Sequence, residues 1–115
     1  MSEFNTITPR ALNALGQQHK QIHLVDVRTP AEYRAGHVAG AKSIPLDELA
    51  PEKLHNHLGD AGVGNERPLY LTCQAGIRAQ QAAERLKHAG MENVYLLDGG
   101  REAGMRSGLP LRRCG

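Results

Sequence analysis

Short apolar runs alternate with helix-forming runs along this sequence, and that alternation limits the folds open to the chain. Strands are predicted at 22–25, 41–44, 69–72 and 93–97. Helical patterns lie between them at 10–15, 30–35, 46–58 and 78–86, with a last helix expected after Gly99. Strands that alternate with helices are typical of a mainly parallel sheet covered by helices on both faces. The sequence therefore predicts an α/β fold.

Two helix starts carry capping signals. A Thr-Pro pair at 8–9 opens the first helix, which Gly16 is expected to end. Thr29 precedes a second proline, and Glu32 is placed to complete a capping box with it. Gly36 is expected to end that short helix.

The junction between strand 69–72 and helix 78–86 carries most of the chemical information. It consists of Cys73, Gln74, Ala75, Gly76, Ile77 and Arg78. A thiol there faces the unpaired N–H groups and the positive dipole end of a helix. Such a position, with an arginine nearby, can lower a cysteine pKa from about 8.5 to about 3.5–7.5. Gly76 permits a tight turn. The segment predicts a nucleophilic thiolate in a cradle of backbone N–H groups.

Three separate segments resemble the rhodanese family of sulfurtransferases over nearly the whole chain. They are LVDVR at 24–28 continuing through PAEY at 30–33, GHVAGA at 36–41 and SIPL at 43–46; CQAGIR at 73–78; and VYLLDGG at 94–100 with GLP at 108–110. The resemblance implies a three-layer rhodanese-like fold, with a mainly parallel central sheet of about five strands and helices on both faces. One departure is that Gly104 follows Ala103 where the family usually has Trp.

The resemblance also implies a two-step sulfur transfer. The Cys73 thiolate attacks the outer sulfur of a donor such as thiosulfate, releases sulfite and keeps a persulfide. Backbone N–H groups from Gln74 to Arg78 hold the negatively charged outer sulfur. A thiol or cyanide acceptor then takes the sulfur, and a protein sulfur donor or acceptor also fits. The expected activity is thiosulfate sulfurtransferase, with no cofactor and no metal.

Other functions stay open. Cysteine phosphatases and arsenate reductases, to which this fold is akin, use a longer loop, whereas four residues separate Cys73 from Arg78 here. The smaller ring suits one sulfur atom better than a phosphoryl group. A non-catalytic rhodanese module would have no reason to keep Cys, Gly and Arg together. A persulfide carrier fits a loop whose only cationic side chain is Arg78.

Asp26 and Arg28 follow another predicted strand and are candidates for supporting the site. The carboxyl ends of parallel strands lie at one edge of a sheet, where ligands bind. Arg28 could add positive potential or brace the site through a carboxylate such as Glu32. An ion pair that holds the loop after the strand is an equally good interpretation.

The histidines do not suggest a metal site. His37 is expected to bond backbone groups rather than substrate. His55 and His57 are separated by one residue but have no matching third ligand in the sequence.

Composition argues against several other classes. A net charge of +2 from 14 basic and 12 acidic residues is too balanced for a nucleic-acid surface. No apolar stretch approaches the roughly 18 residues of a membrane span, and the N-terminus lacks a signal-peptide pattern, so a cytoplasmic protein without a membrane segment is expected. The 115 residues predict a single rhodanese-like domain, with 110–115 as a flexible tail. Cys114 in that tail has no assigned role, and two cysteines make no disulfide framework.

Overall fold

The computed structural model describes residues 5–18, 22–73, 77–98 and 111–112. The strands are β1 (Asn5–Ile7), β2 (His23–Asp26), β3 (His37–Val38), β4 (Lys42–Ser43), β5 (Leu69–Thr72), β6 (Val94–Leu97) and β7 (Leu111–Arg112). The helices are α1 (Pro9–Gln18), α2 (Pro30–Ala35), α3 (Pro51–Leu58) and α4 (Ile77–His88), and a single 3-10 turn covers Leu46–Glu48. The alternation of strands and helices predicted from the sequence is therefore confirmed.

A five-stranded sheet lies at the centre, in the order β1-β6-β5-β2-β4. Its four pairings are parallel. In the β2–β5 pairing Asp26 lies beside Thr72, so these two strands end side by side. The residues that follow them, Arg28 and Cys73 among them, are thereby brought to one edge of the sheet.

Alternate strand residues point to opposite faces of the sheet and enter two apolar clusters. Along β5, Leu69 and Leu71 belong to one cluster and Tyr70 to the other. The first cluster is closed by buried side chains of α3 and α4, which are Leu54, Ala79, Ala82, Ala83 and Leu86. The second is closed by Leu12 of α1, with Tyr33 of α2 packed against it. Helices therefore cover both faces, as the sequence predicts.

The predicted capping box is present at the start of α2. Thr29 Oγ1 accepts a hydrogen bond from Glu32 N (3.3 Å), and Glu32 Oε1 accepts one from Thr29 N (3.0 Å). The helix ends before Gly36, as predicted. The expected end of α1 at Gly16 was wrong, because that helix continues to Gln18. A glycine inside a helix costs up to about 1 kcal/mol, and packing of the apolar helix face against the sheet outweighs that cost.

The chain end differs from the expectation in one respect. Residues 111–112 were predicted to lie in a flexible tail, but β7 pairs antiparallel with β3. Its hydrogen-bond partners come from a distant segment, so no local pattern indicates them. Gly104, Cys114 and the helix expected after Gly99 lie outside the described residues. Within the described ranges, no helix is both long and apolar enough to cross a membrane.

Candidate active site

Cys73 follows β5 directly, and its side chain is buried. It is 1% exposed and belongs to the cluster beneath α3 and α4. The backbone N–H of Ala79 donates to Cys73 Sγ over 3.3 Å. Ala79 lies in the first turn of α4, where N–H groups have no partner within the helix. The sulfur therefore accepts a hydrogen bond from the positive end of α4.

In the loop after Cys73, the structure describes Ile77 and Arg78. Gln74, Ala75 and Gly76 lie outside the described residues, so the cradle of N–H groups expected from them stays a prediction. Ile77 is the first residue of α4, and it is the large hydrophobic residue that stands out as exposed, at 72%, in the described part of the chain. Its position gives the start of α4 an apolar surface.

Arg78 forms a two-pronged ion pair with Glu32 of α2. Arg78 Nη1 donates to Glu32 Oε1 (2.7 Å), and Nη2 donates to Oε2 (2.9 Å). The Arg78 hydrogen bonds, followed by the one from the Thr29 backbone, lower the pKa of Glu32 to about 2. Glu32 in turn raises the pKa of Arg78. The pairing fixes the guanidinium plane and balances much of its charge.

That pairing corrects one of the interpretations made from the sequence. Glu32 was named as a carboxylate through which Arg28 could brace the site, but it binds Arg78 instead. The two partners are 46 residues apart, and the pair connects the first turn of α2 to that of α4. Local sequence contains no signal for this contact.

Arg28 pairs with Asp26 in the interior. Its Nη2 donates to Asp26 Oδ2 (2.8 Å), while its Nε and backbone N both donate to Oδ1 (3.0 Å). Nη2 also donates to the carbonyl oxygen of Gly36 (2.6 Å). The side chains of Arg28 and Asp26 are only 4% and 1% exposed. This geometry favours the second interpretation made from the sequence, an ion pair that holds the loop after β2 and the end of α2.

His37 is also buried, and it bonds the backbone as the sequence predicts. Its Nδ1 donates to the carbonyl oxygen of Tyr33 (2.7 Å), and the two rings stack with centroids 3.7 Å apart. The Tyr33 hydroxyl donates to the carbonyl oxygen of Ala41 (2.5 Å). These bonds hold α2 against the turn between β3 and β4. Across the described ranges no group of three or more His, Cys, Asp or Glu side chains is placed to hold a metal ion.

A groove of about 290 Å³ lies beside Arg78, and one of its lining residues, Arg85, was not identified from the sequence. Arg85 lines it, together with Arg28 and Asp47. Its Nη1 donates to the carbonyl oxygen of Leu46 (2.5 Å), which joins α4 to the 3-10 turn. Arg78 and Arg85 are about two helical turns apart and so share a face of α4. That spacing was the one signal in the sequence for a second cation near the site.

Comparisons with known proteins agree with this architecture. The family model described as the Rhodanese-like domain matches residues 8–106. Thiosulfate sulfurtransferase GlpE of Vibrio cholerae is 34% identical over 111 residues, which are 96% of this chain and 97% of that protein. The uncharacterized protein slr1261 of Synechocystis is 39% identical over 105 residues, 91% of this chain but 54% of the relative.

Among solved structures, the crystal structure of thiosulfate sulfurtransferase from Pseudomonas aeruginosa superimposes with a TM-score of 0.79 and 26% identity. The match covers 98% of this chain and 20% of that chain. This chain thus corresponds to about half of the Synechocystis relative and to a fifth of the Pseudomonas protein. On the match to its family model, which spans most of its length, the chain belongs to the family of rhodanese-like domains.

Proposed function

We propose that this protein is a sulfurtransferase that carries sulfane sulfur as a persulfide on Cys73. The observation that carries the proposal is the hydrogen bond from Ala79 N–H to Cys73 Sγ at the start of α4. A donor in this position can hold negative charge that develops on the sulfur during the reaction. The GlpE relative, named a thiosulfate sulfurtransferase and matched over nearly its whole length, supports the same activity.

The first step loads the sulfur. The Cys73 thiolate attacks the outer sulfur of thiosulfate, a new S–S bond forms, and the bond to the sulfonate sulfur breaks. Its electron pair leaves with sulfite, so no external oxidant or reductant takes part. The product is a Cys73 persulfide, whose terminal sulfur is negatively charged. Backbone N–H groups of the loop, including those of Gln74 to Gly76, are proposed to hold that charge.

The second step unloads the sulfur. An acceptor thiolate or cyanide attacks the terminal sulfur and breaks the S–S bond. The electron pair of that bond returns to Cys73 as its thiolate, which restores the starting state. Because the chemistry needs a free thiolate at the start of each cycle, a reducing compartment suits it.

Arg78 is proposed to support the anionic sulfur electrostatically. The charges of Cys73 and Asp26 contribute, after Glu32, to the raised pKa of Arg78, so the guanidinium lies within electrostatic reach of the sulfur. Glu32 holds the guanidinium in one orientation through two hydrogen bonds. An Arg78→Lys variant keeps a charge but loses the planar fork. It should load sulfur faster than Arg78→Ala and more slowly than the parent protein.

Intact-mass measurement tests the assignment of the nucleophile. After incubation with thiosulfate, the parent protein should gain one sulfur that cyanide or a reductant removes. Cys73→Ser should gain none, while Cys114→Ser, which removes the other cysteine of the sequence, should load normally. Full loading of Cys73→Ser would contradict the proposal. Hydrolysis of an aryl phosphate at a comparable rate would instead favour a phosphatase.

A persulfide carrier is the second candidate, and the Glu32–Arg78 pair favours it. With its charge balanced by Glu32, Arg78 attracts a small dianion only modestly. Such a site is expected to accept sulfur from a persulfide more readily than from thiosulfate. The two candidates differ in the ratio of loading rates for thiosulfate and for cysteine persulfide.

Removal of the balancing charge sharpens that comparison. Glu32→Gln should raise the loading rate with thiosulfate several-fold at low ionic strength, because the nearby Arg78 charge is no longer balanced. The rate with cysteine persulfide should change less. Glu92→Gln is the matched control, since Glu92 precedes β6 at the opposite edge of the sheet. An equal effect of both substitutions would show that only the net charge of the protein matters.

A further inference from the structure

A second cavity lies at the opposite edge of the central sheet from Cys73. Its volume is about 400 Å³, and its lining includes His23 at the start of β2 and Pro68 just before β5. Cys73 follows the other end of β5, so the length of that strand, at about 3.3 Å per residue, separates the two places. None of the residues proposed for sulfur transfer lines this cavity.

Most of the cavity wall is apolar. The apolar lining residues are Leu15, Ile22, Leu58, Pro68 and Tyr70. Gly59 completes this side at the end of α3, in the left-handed conformation (φ 66°) that a glycine adopts without strain. A volume of about 400 Å³ falls within the range of about 300–1,000 Å³ for small-molecule sites.

The polar side of the cavity is a self-contained network around Asp60. His23 Nε2 donates to Asp60 Oδ2 (3.0 Å), Arg67 Nε donates to the same oxygen (2.5 Å), and Gly62 N donates to Oδ1 (2.9 Å). Arg67 Nη2 also contacts Oδ1. Arg67, the main cause, holds the pKa of Asp60 well below its usual range. The charges of Asp60 and Arg67 therefore cancel, and this wall presents no net positive charge to an anion.

Tyr70 supplies a hydroxyl group to the cavity lining. It is 7% exposed, and its hydroxyl has no hydrogen-bond partner among the residues that the structure describes. Burial, with a smaller effect of Tyr95, raises the pKa of Tyr70, so the hydroxyl keeps its proton at neutral pH. The hydroxyl oxygen itself is not enclosed, because the fully buried side-chain atom without a partner in the described part of the chain is His55 Nε2; a ligand atom that enters the cavity can therefore bond the Tyr70 hydroxyl.

We propose that this cavity is a binding site for a small uncharged molecule with an apolar ring or branched alkyl body and one polar atom that bonds the Tyr70 hydroxyl. The apolar wall selects the body of the molecule. The balanced Asp60–Arg67 pair gives neither a carboxylate nor an ammonium group a free partner charge. The site is separate from the sulfur-transfer proposal and does not depend on it.

Three ring compounds of similar size and different charge test the site, namely phenol, benzoate and benzylamine. Each is titrated into the full ¹⁵N-labelled chain while backbone amide shifts are followed by NMR. Phenol should cause saturable shifts at residues 22–23, 58–60 and 67–70 and none at Ala79. Benzoate and benzylamine should bind at least about fivefold more weakly, because a charged group loses its hydration in the cavity without gaining a partner.

Two tyrosine variants isolate the hydroxyl. Tyr70→Phe removes one oxygen and should weaken phenol binding about fivefold, the usual effect of one lost hydrogen bond. Tyr95→Phe is the matched control, because the Tyr95 ring lies 5.5 Å from that of Tyr70 but does not line the cavity. Absence of saturable shifts, equal affinity for the three compounds, or equal effects of the two variants would overturn the proposal. Sulfur loading of Cys73 is measured separately, so its failure would contradict the sulfurtransferase proposal alone.

Discussion

The Asp26–Arg28 pair leads to a quantitative prediction, because both of its charged side chains are buried. Asp26→Asn keeps the shape of the side chain but removes its charge and replaces one acceptor oxygen with an NH₂ donor. Arg28, 3% exposed, then remains charged in the interior without a counter-ion. Removal of one partner of a buried pair costs about 3–5 kcal/mol. That cost is a large fraction of the stability of a typical domain, which is about 5–15 kcal/mol.

The expected loss is measurable by urea and thermal unfolding. The chain has no Trp, so far-ultraviolet circular dichroism is the suitable signal. For a chain of this length, a loss of about 3–5 kcal/mol lowers Tm by roughly 10–20 °C. The m-value should stay unchanged, which would show that the native fold rather than the unfolded chain was affected.

The Glu32–Arg78 pair provides the matched control. Its side chains are 36% and 34% exposed, so the same carboxylate-to-amide change in Glu32→Gln should cost only about 0.2–1 kcal/mol. The difference between the two variants measures the effect of burial on an ion pair. Replacement of both buried partners, Asp26→Leu with Arg28→Met, should recover much of the lost stability, since no charge is then left unpaired.

Two outcomes would refute this reasoning. A loss for Asp26→Asn no larger than that for Glu32→Gln would mean that Asp26 does not compensate a buried charge. An unchanged Tm combined with abolished sulfur loading on Cys73 would show that Asp26 acts in the reaction rather than in holding the loop.

Three further predictions concern local features. The folded-state pKa of Glu32, about 2, lies below its ordinary value of 4.5, so the ionised side chain stabilises the fold above about pH 4.5 and this effect is lost as the pH falls towards 2. In acid unfolding curves, the stability difference between the parent protein and Glu32→Gln should therefore vanish between pH 4.5 and pH 2. Thr29→Ala should cost about 1 kcal/mol in urea unfolding because it removes the N-cap acceptor, whereas Thr29→Ser should cost little. Gly64→Ala should lower the melting temperature more than Gly40→Ala does. Both positions have positive φ, but only at Gly64 would an added Cβ lie 2.7 Å from Met91 Sδ. Equal losses would mean that backbone strain alone is responsible.

Local patterns were enough to predict the main elements and to identify a candidate nucleophile. Strand β5 was predicted with the boundaries that the structure has, because its apolar run is bounded by Pro68 and by the polar loop. The capping box at Thr29 and Glu32 was predictable because both residues lie within one helical turn. The order of Cys73, Gly76 and Arg78 before a helix indicated a candidate reactive thiol, and the segments around this loop strengthened that interpretation.

The short strands β1 and β3 could not be predicted from the sequence, because they depend on pairing with distant segments. β1 covers only three residues, Asn5–Ile7, and most of it is exposed, so no alternating pattern identifies it. It is a strand because its backbone pairs with β6, and β3 is one because it pairs with β7. The stabilising hydrogen bonds join two segments that are distant in the sequence, and the residues of either segment alone give no pattern that predicts the pairing.

Periodicity, capping and loop composition in the sequence by itself determined the α/β class and the identity of the candidate nucleophile, because those properties depend on neighbours within a few residues. Tertiary structure alone decided which carboxylate pairs with Arg28 and which pairs with Arg78. It paired Glu32 with Arg78 and Asp26 with Arg28, and it placed the Tyr70 hydroxyl in a cavity wall without a partner among the described residues. Charge pairing depends on distances of a few ångströms between side chains, and only the packed chain sets those distances.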